Sequence, residues 1–168
     1  MTEARNPCIG IYPGSFDPMT RGHEDICRRA LEFVDKLIIA VAHTRTQKKA
    51  GLFSIPERVE MIRELFSDEP RVEVDEFDGL LVQYAQKRDA TLIVRGLRAV
   101  SDFEYEFQMA LMNRELWDRA ETVFLAPDAR YSFLSASLVR EIASLGGDVS
   151  EFVAPSVLER LNRHYSRA

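Results

Sequence analysis

Cysteine is scarce in this 168-residue sequence: Cys8 and Cys27 are the only two, and they form no C-x-x-C pair. Their spacing excludes a disulfide framework or a zinc site and leaves an expectation of two buried thiols in a reducing compartment, one in the first strand and one in the first helix. No group of residues suggests a protein-held metal. No apolar run approaches 18 residues, which excludes a membrane-spanning helix. The first seven residues are polar with no signal-peptide core behind them, so a cytoplasmic location is expected. A basic excess is missing too. Lysine and arginine number 22 against 27 acidic residues, for a net charge of −5. General nucleic-acid binding runs on a net basic surface and is therefore not expected, although a local basic pocket for an anionic metabolite remains open. Repeats, low-complexity stretches and linkers are absent as well, and the length suits one domain over residues 1–168.

What is present is an alternation of strands and helices. Cys8–Tyr12 reads as a short apolar strand, and His23–Val34 carries a helical stripe at Ile26, Cys27, Ala30, Leu31 and Val34. Lys36–His43 contains a continuous apolar run of the kind buried on both faces of a parallel sheet. Ser54-Ile55-Pro56-Glu57 is a capping box opening a helix to about Phe66. Arg71–Phe77 is the third strand, Leu80–Arg88 a helix, and Thr91–Val94 the fourth strand. A long helix is expected over about Asp102–Leu116, then a fifth strand at Thr122–Ala126. Ser135 or Ser137 caps the next helix, and a last helix follows Pro155. Five strands separated by helices imply an α/β fold: one Rossmann-like domain whose five-stranded parallel sheet has helices on both faces.

In such a sheet ligands bind beyond the carboxyl ends of the strands. Those ends carry Gly14, Ser15 and His23 after the first strand, then His43, Thr44, Arg45, Lys48 and Lys49 after the second. Arg95, Gly96 and Arg98 follow the fourth, and Tyr131, Ser132, Ser135 and Ser137 follow the fifth. Each has a bland explanation: a Gly/Pro turn, a solvated lysine pair, an arginine at a strand end, a serine helix cap. Four elements presenting anion donors on one sheet edge outweigh them and point to a phosphate-bearing ligand. Asp17, in an Asp-Pro turn, is read as structural.

The run Tyr12-Pro13-Gly14-Ser15-Phe16-Asp17-Pro18, reaching Gly22-His23, resembles the T/H-x-G-H motif of the nucleotidylyltransferase superfamily. Ser135-Ala136-Ser137-Leu138-Val139-Arg140 resembles its second, serine-rich motif. More narrowly, Arg95-Gly96-Leu97-Arg98 with Asp102-Phe103-Glu104-Tyr105-Glu106 is similar to one family, the bacterial phosphopantetheine adenylyltransferases. The likeness covers nearly the whole chain.

The resemblance implies transfer of AMP from ATP to 4′-phosphopantetheine, giving dephospho-coenzyme A and pyrophosphate, with Mg2+ accompanying the nucleotide. It makes His23 the catalytic residue and an ATP-phosphate ligand. Ser15, standing where relatives usually have threonine, would touch both substrates, and Phe16 would touch ATP. Gly96, Leu97, Arg98 and Glu106 would hold the nucleotide, as would Tyr131, Ser132, Phe133, Leu134, Ser135, Ala136 and Ser137. Lys48, Leu81 and Arg95 would bind phosphopantetheine, with Lys49 an alternative to Lys48 because the loop before Gly51 is lengthened. Ala136 replaces a serine common in relatives, and its backbone N–H still serves. A homohexamer and feedback by coenzyme A are further implications. Alternative readings are another small-molecule nucleotidylyltransferase, a non-catalytic ATP-sensing module, or a class I aminoacyl-tRNA synthetase, which needs a far longer chain.

Overall fold

The computed structural model describes residues 6–43, 51–98 and 100–166. Five strands, β1 (Ile9–Gly14), β2 (Lys36–Ala42), β3 (Val72–Phe77), β4 (Leu92–Gly96) and β5 (Glu121–Leu125), form one sheet in the order β3-β2-β1-β4-β5. All four pairings are parallel. Among the described residues the helices are α1 (Arg21–Ala30), α2 (Ile55–Leu65), α3 (Leu81–Lys87), α4 (Val100–Leu116), α5 (Ala136–Ser144) and α6 (Pro155–Tyr165), with a 3-10 turn at Ala129–Tyr131. The expected α/β fold is therefore observed.

Alternation along the strands decides what each face buries. Tyr12, Leu37, Ile39, Val41 and Val94 point to one face, where Ile26, Cys27 and Ala30 of α1 meet Val59 and Ile62 of α2. Ile11, Ile38 and Ala40 point to the other, against Ala85 of α3, Ala90 and Trp117. A satellite core lies beside the first face. There Met61 of α2 and Val139 of α5 pack with Val157 and Leu161 of α6, and Arg160 ties α6 to Glu60 and Glu64 of α2.

The chain builds outward from β1 to β2 and β3, then crosses back to place β4 on the other flank of β1. The order reverses between β1 and β4, and a crevice opens at their carboxyl ends. Both strands run further into that crevice than the apolar pattern implies. Pro13 and Gly14 stay in register with Ala40 and Val41, and Arg95 and Gly96 with Phe124 and Leu125. Polar or turn-forming residues at a strand's end interrupt the apolar run without interrupting the ladder.

The helix starts also need adjustment. Thr20 caps α1, so this helix begins at Arg21 and ends at Ala30, short of Val34. Helix α4 begins at Val100, earlier than Asp102. The Ser54 capping box is observed: Ser54 and Glu57 each bond the other's backbone N–H. Cys8 corrects the expectation of two buried thiols. It precedes β1 and is only half-buried, with its N–H donating to Asp35 Oδ2 at 2.6 Å, whereas Cys27 is fully enclosed. Among the described residues no helix is long and apolar enough to cross a membrane.

The satellite core offers a stability test. Leu161 is fully buried where α6 packs, while Leu145 is 82% exposed. Leu161→Ala is expected to cost about 2–5 kcal/mol, whereas Leu145→Ala should stay within about 0.5 kcal/mol. Urea denaturation of both variants at an unchanged m-value checks the contrast.

Candidate active site

The β1–α1 loop forms the floor of the crevice. Gly14 is required there by close approach: a Cβ at this position would lie 2.8 Å from the Phe16 ring. Phe16 itself has φ of 44°, a left-handed conformation that costs a non-glycine residue energy and must be held by its surroundings. Its ring is buried and packs edge-on against both Tyr12 and His23, at 5.3 Å between centroids in each case. Phe16 therefore offers a ligand its backbone, not its ring. Asp17, as expected, is structural. Its carboxylate accepts from the N–H groups of Leu52 at 2.8 Å and Phe53 at 2.9 Å, and it pairs with Arg58 and Arg140.

His23 is the third residue of α1 and completes an unusual capping box. Thr20 Oγ1 accepts from the His23 N–H, and the Thr20 N–H donates to His23 Nδ1 at 3.1 Å. A backbone N–H can only donate, so Nδ1 is unprotonated and the ring's proton sits on Nε2. Burial, then the charges of Arg98 and Arg95, lower the pKa of His23 from 6.5 to about 4. At neutral pH it is a neutral imidazole with one fixed donor.

Two cavities meet over this floor. The larger, about 500 Å³, is lined by Ser15, Phe16, His23, Gly96, Arg98, Tyr131, Leu134, Ser135, Ala136 and Ser137 among others. The smaller, about 180 Å³, reaches Leu81 of α3, Met109 and Asn113 of α4, and Ala42 and Thr122 at the ends of β2 and β5. Pro13, Gly14, Ser15, Arg95, Tyr105 and Glu106 line both. The shared wall is an ion pair: Arg95 Nε and Nη2 donate to the two oxygens of Glu106 at 2.8 and 2.5 Å, and Nη1 donates to the Pro13 carbonyl at 2.8 Å. Arg98 is exposed, donates to the Leu134 carbonyl at 3.1 Å and lies 3.6 Å from Asp102. Ser135, rather than Ser137, caps α5 by accepting from the Leu138 N–H, which leaves Ala136 and Ser137 as its first two helical residues. Two helix N-termini, those of α1 and α5, thus border one cavity, an arrangement that favours anions.

Four of the expected residues do not line either cavity. His43, after β2, is exposed, faces Glu76 at 3.7 Å and donates its N–H to the Phe77 carbonyl. Leu97 spends its N–H on the Leu125 carbonyl, continuing the β4–β5 ladder. Ser132 is exposed and its hydroxyl donates to the Ala129 carbonyl. Phe133 is exposed and stacks edge-on with Phe152. Thr44, Arg45, Lys48 and Lys49 lie outside the described residues. Conversely, Tyr12, Arg58, Asp102 and Arg140 line the larger cavity without having been singled out. Arg140 closes the Ser135–Arg140 motif and was legible there, whereas nothing local marks Arg58. Among the described residues no group of three or more His, Cys, Asp or Glu side chains is arranged to hold a metal ion.

The neutral state of His23 has a measurable sign. The unfolded chain takes up a proton near pH 6.5 that the folded chain refuses until about pH 4. Between those values His23 therefore makes stability fall as pH falls, and below them it adds no further slope. His23→Gln is expected to lose less stability than the parent from pH 6.5 to 4, read by denaturant titration at each pH. Parallel curves would assign the effect to other groups.

The cytidylyltransferase-like family model matches residues 11–142. The chain is 59% identical over 153 residues to a phosphopantetheine adenylyltransferase of Aromatoleum aromaticum, covering 91% of this chain and 93% of that one. It is 54% identical over 160 residues to a phosphopantetheine adenylyltransferase of Caldanaerobacter subterraneus subsp. tengcongensis, covering 95% and 99%. Among solved structures it is similar to a putative nicotinate-nucleotide adenylyltransferase from Vibrio parahaemolyticus. That likeness has a TM-score of 0.66 at 17% identity, with 95% of this chain and 94% of that chain covered, and it speaks to the fold alone.

Proposed function

The chain belongs to the phosphopantetheine adenylyltransferases of the cytidylyltransferase-like family, and from that premise we propose how its two cavities carry out adenylyl transfer. It is a nucleotidyltransferase of coenzyme A biosynthesis. In this reading ATP occupies the larger cavity and 4′-phosphopantetheine the smaller, narrower and more apolar one, with their phosphates meeting at Ser15. The observation that carries it is the shared wall: Gly14, Ser15 and Arg95 border both cavities, so two substrates can approach one line of donors from opposite sides.

The acceptor phosphate is already an anionic nucleophile. One of its oxygens attacks the α-phosphorus of ATP, forming the new O–P bond as the bond from that phosphorus to the α–β bridging oxygen breaks. Pyrophosphate leaves with the bonding pair, and no covalent enzyme intermediate is needed. The protein's task is to align two like-charged groups and receive the charge that shifts. His23 Nε2–H donates to an α-phosphate oxygen, and being neutral it does so without a proton to lose near pH 7. The N-termini of α1 and α5 and the exposed Arg98 receive the remaining phosphates, while Ser15 touches both substrates. Arg95 and Lys48, or Lys49, hold the acceptor phosphate, and Leu81 lines the pantetheine arm. Mg2+ would arrive on the nucleotide, whose own phosphates supply its oxygens and whose charge it offsets. Coenzyme A carries both a pantetheine arm and an adenylyl group, so it suits the same pair of cavities as a feedback ligand.

Pyrophosphate release with ATP, magnesium and 4′-phosphopantetheine, absent when the acceptor is withheld, tests the reading. His23→Ala should lower kcat about a hundred- to a thousandfold while ATP affinity changes far less. Near-normal turnover would remove His23 from the mechanism.

A homohexamer in the cytoplasm completes the proposal. Helix α4 exposes Phe103, Phe107, Leu111, Met112 and Leu116, each about half accessible, and exposed apolar side chains gathered on one helix suit association with further copies. Light scattering should give a sixfold chain mass, and Leu111→Glu should reduce it. A monomeric parent protein would overturn the assembly without touching the chemistry.

A further inference from the structure

Three guanidiniums converge on the main chain of the β1–α1 loop. Arg95 from β4, Arg58 from α2 and Arg140 from α5 donate to the carbonyls of Pro13, Ser15 and Asp17, three alternate residues. Arg95 also faces both cavities, and Arg140 also reaches Ser137 Oγ at 3.3 Å. Arg58 also borders the larger cavity but is far more enclosed than either, with 7% of its side chain exposed against 31% for each of them. It is 6% exposed, its Nε donates to the Phe53 carbonyl at 2.8 Å, and its Nη1 donates to the Ser15 carbonyl at 3.1 Å. A guanidinium so deeply enclosed carries a large desolvation cost, offset here by the Asp17 carboxylate at 3.4 Å and by the two carbonyls it bonds.

The geometry of the loop gives that cost a purpose. The peptide joining Ser15 to Phe16 is planar and trans, so the direction of the Ser15 carbonyl sets the opposite direction of the Phe16 N–H. Neither the Ser15 N–H nor the Phe16 N–H donates to another described residue. Phe16 sits at φ 44°, a conformation that relaxes unless its neighbours are held on both sides. Arg58 holds the Ser15 carbonyl before it, and Arg140 the Asp17 carbonyl after it. Were the Ser15 carbonyl to rotate, its oxygen would point a negative dipole at an incoming phosphate.

We propose that Arg58 is a positioning residue for adenylyl transfer, which through the Ser15 carbonyl keeps the Ser15 hydroxyl and the Phe16 N–H aimed at the reacting phosphates. The proposal rests on the adenylyl-transfer reading above. Donors displaced by about 1 Å lose on the order of a hundredfold in rate, so the effect belongs in kcat.

Arg58→Lys is the informative variant. It keeps a positive charge beside Asp17 but cannot span two carbonyls with a rigid fork; Arg58→Gln serves as the second variant if the lysine protein melts far below the parent. The expected result is a folded variant whose kcat falls about tenfold or more while the ATP dissociation constant moves less than about threefold. A kcat within about twofold of the parent, or a loss confined to ATP binding with kcat kept, overturns the proposal. Backbone amide NMR of the unliganded protein supplies a readout independent of the substrates. The Ser15 and Phe16 cross-peaks should shift in Arg58→Lys while those of α6 stay, and unmoved Ser15 and Phe16 peaks also overturn the proposal. A parent protein that releases no pyrophosphate from ATP and 4′-phosphopantetheine would refute the functional reading instead, with the NMR comparison still deciding the role of Arg58.

Discussion

The carboxylate of Asp17 connects three parts of the chain that the sheet alone would leave separate. It accepts from the backbone of Leu52 and Phe53 at the entry to α2, lies 3.4 Å from Arg58 of α2, and lies 3.8 Å from Arg140 of α5. Both arginines also bond carbonyls of the loop that carries Asp17. An ionised group at 6% exposure is tolerable only with this many partners, and removing it would leave two N–H groups and two guanidiniums uncompensated. The consequence reaches the cavity. Because Asp17 draws α5 against the β1–α1 loop, the N-termini of α1 and α5 end beside the same space, and the partial positive charges of both act there together.

That arrangement explains how an acidic chain makes an anion site. Several of the arginines around the cavity already have carboxylate partners: Arg95 has Glu106, Arg98 has Asp102 and Arg58 has Asp17. Pairing fixes their directions and removes part of their charge, so the site does not need a basic surface. What remains for a phosphate is made of oriented dipoles: the Ser15 and Phe16 N–H groups, which donate to no other described residue, two helix starts and the Nε2–H of His23. The same surroundings hold His23 neutral, since burial and the nearby Arg98 and Arg95 all oppose a second proton. A donor that never carries charge near pH 7 can respond to charge developing on a ligand without first losing it to solvent.

Much of this was legible in the residues. Continuous apolar runs identified the buried strands, the Ser54–Glu57 box identified α2, and polar residues after the strands identified the edge on which a site would form. The signal failed where a residue's role depends on contacts distant in sequence. Arg58 looks like any arginine on an amphipathic helix, and its partners Ser15 and Asp17 lie more than 40 positions away. Leu97 sits within a motif but turns its N–H to β5. Cys8 looked like strand interior, yet it lies one residue before β1. Periodicity reports which face a residue takes inside an element and says little about residues at an element's end.

The reversal of strand order between β1 and β4 also accounts for there being two cavities rather than one. Helices α1 and α5 stand on one side of the β1 carboxyl end, and α3 and α4 on the other, so the crevice is divided by whatever rises from β1 and β4 themselves. What rises there is Gly14, Ser15, Arg95 and, across from it, Glu106. Gly14 keeps the partition thin, since the Phe16 ring already occupies the space of a Cβ. Arg95, tied on one side to Glu106 and on another to the Pro13 carbonyl, makes the partition rigid. A reaction between two phosphates needs them close yet held apart until aligned, and a thin, rigid wall of donors at a sheet's switch point meets both demands.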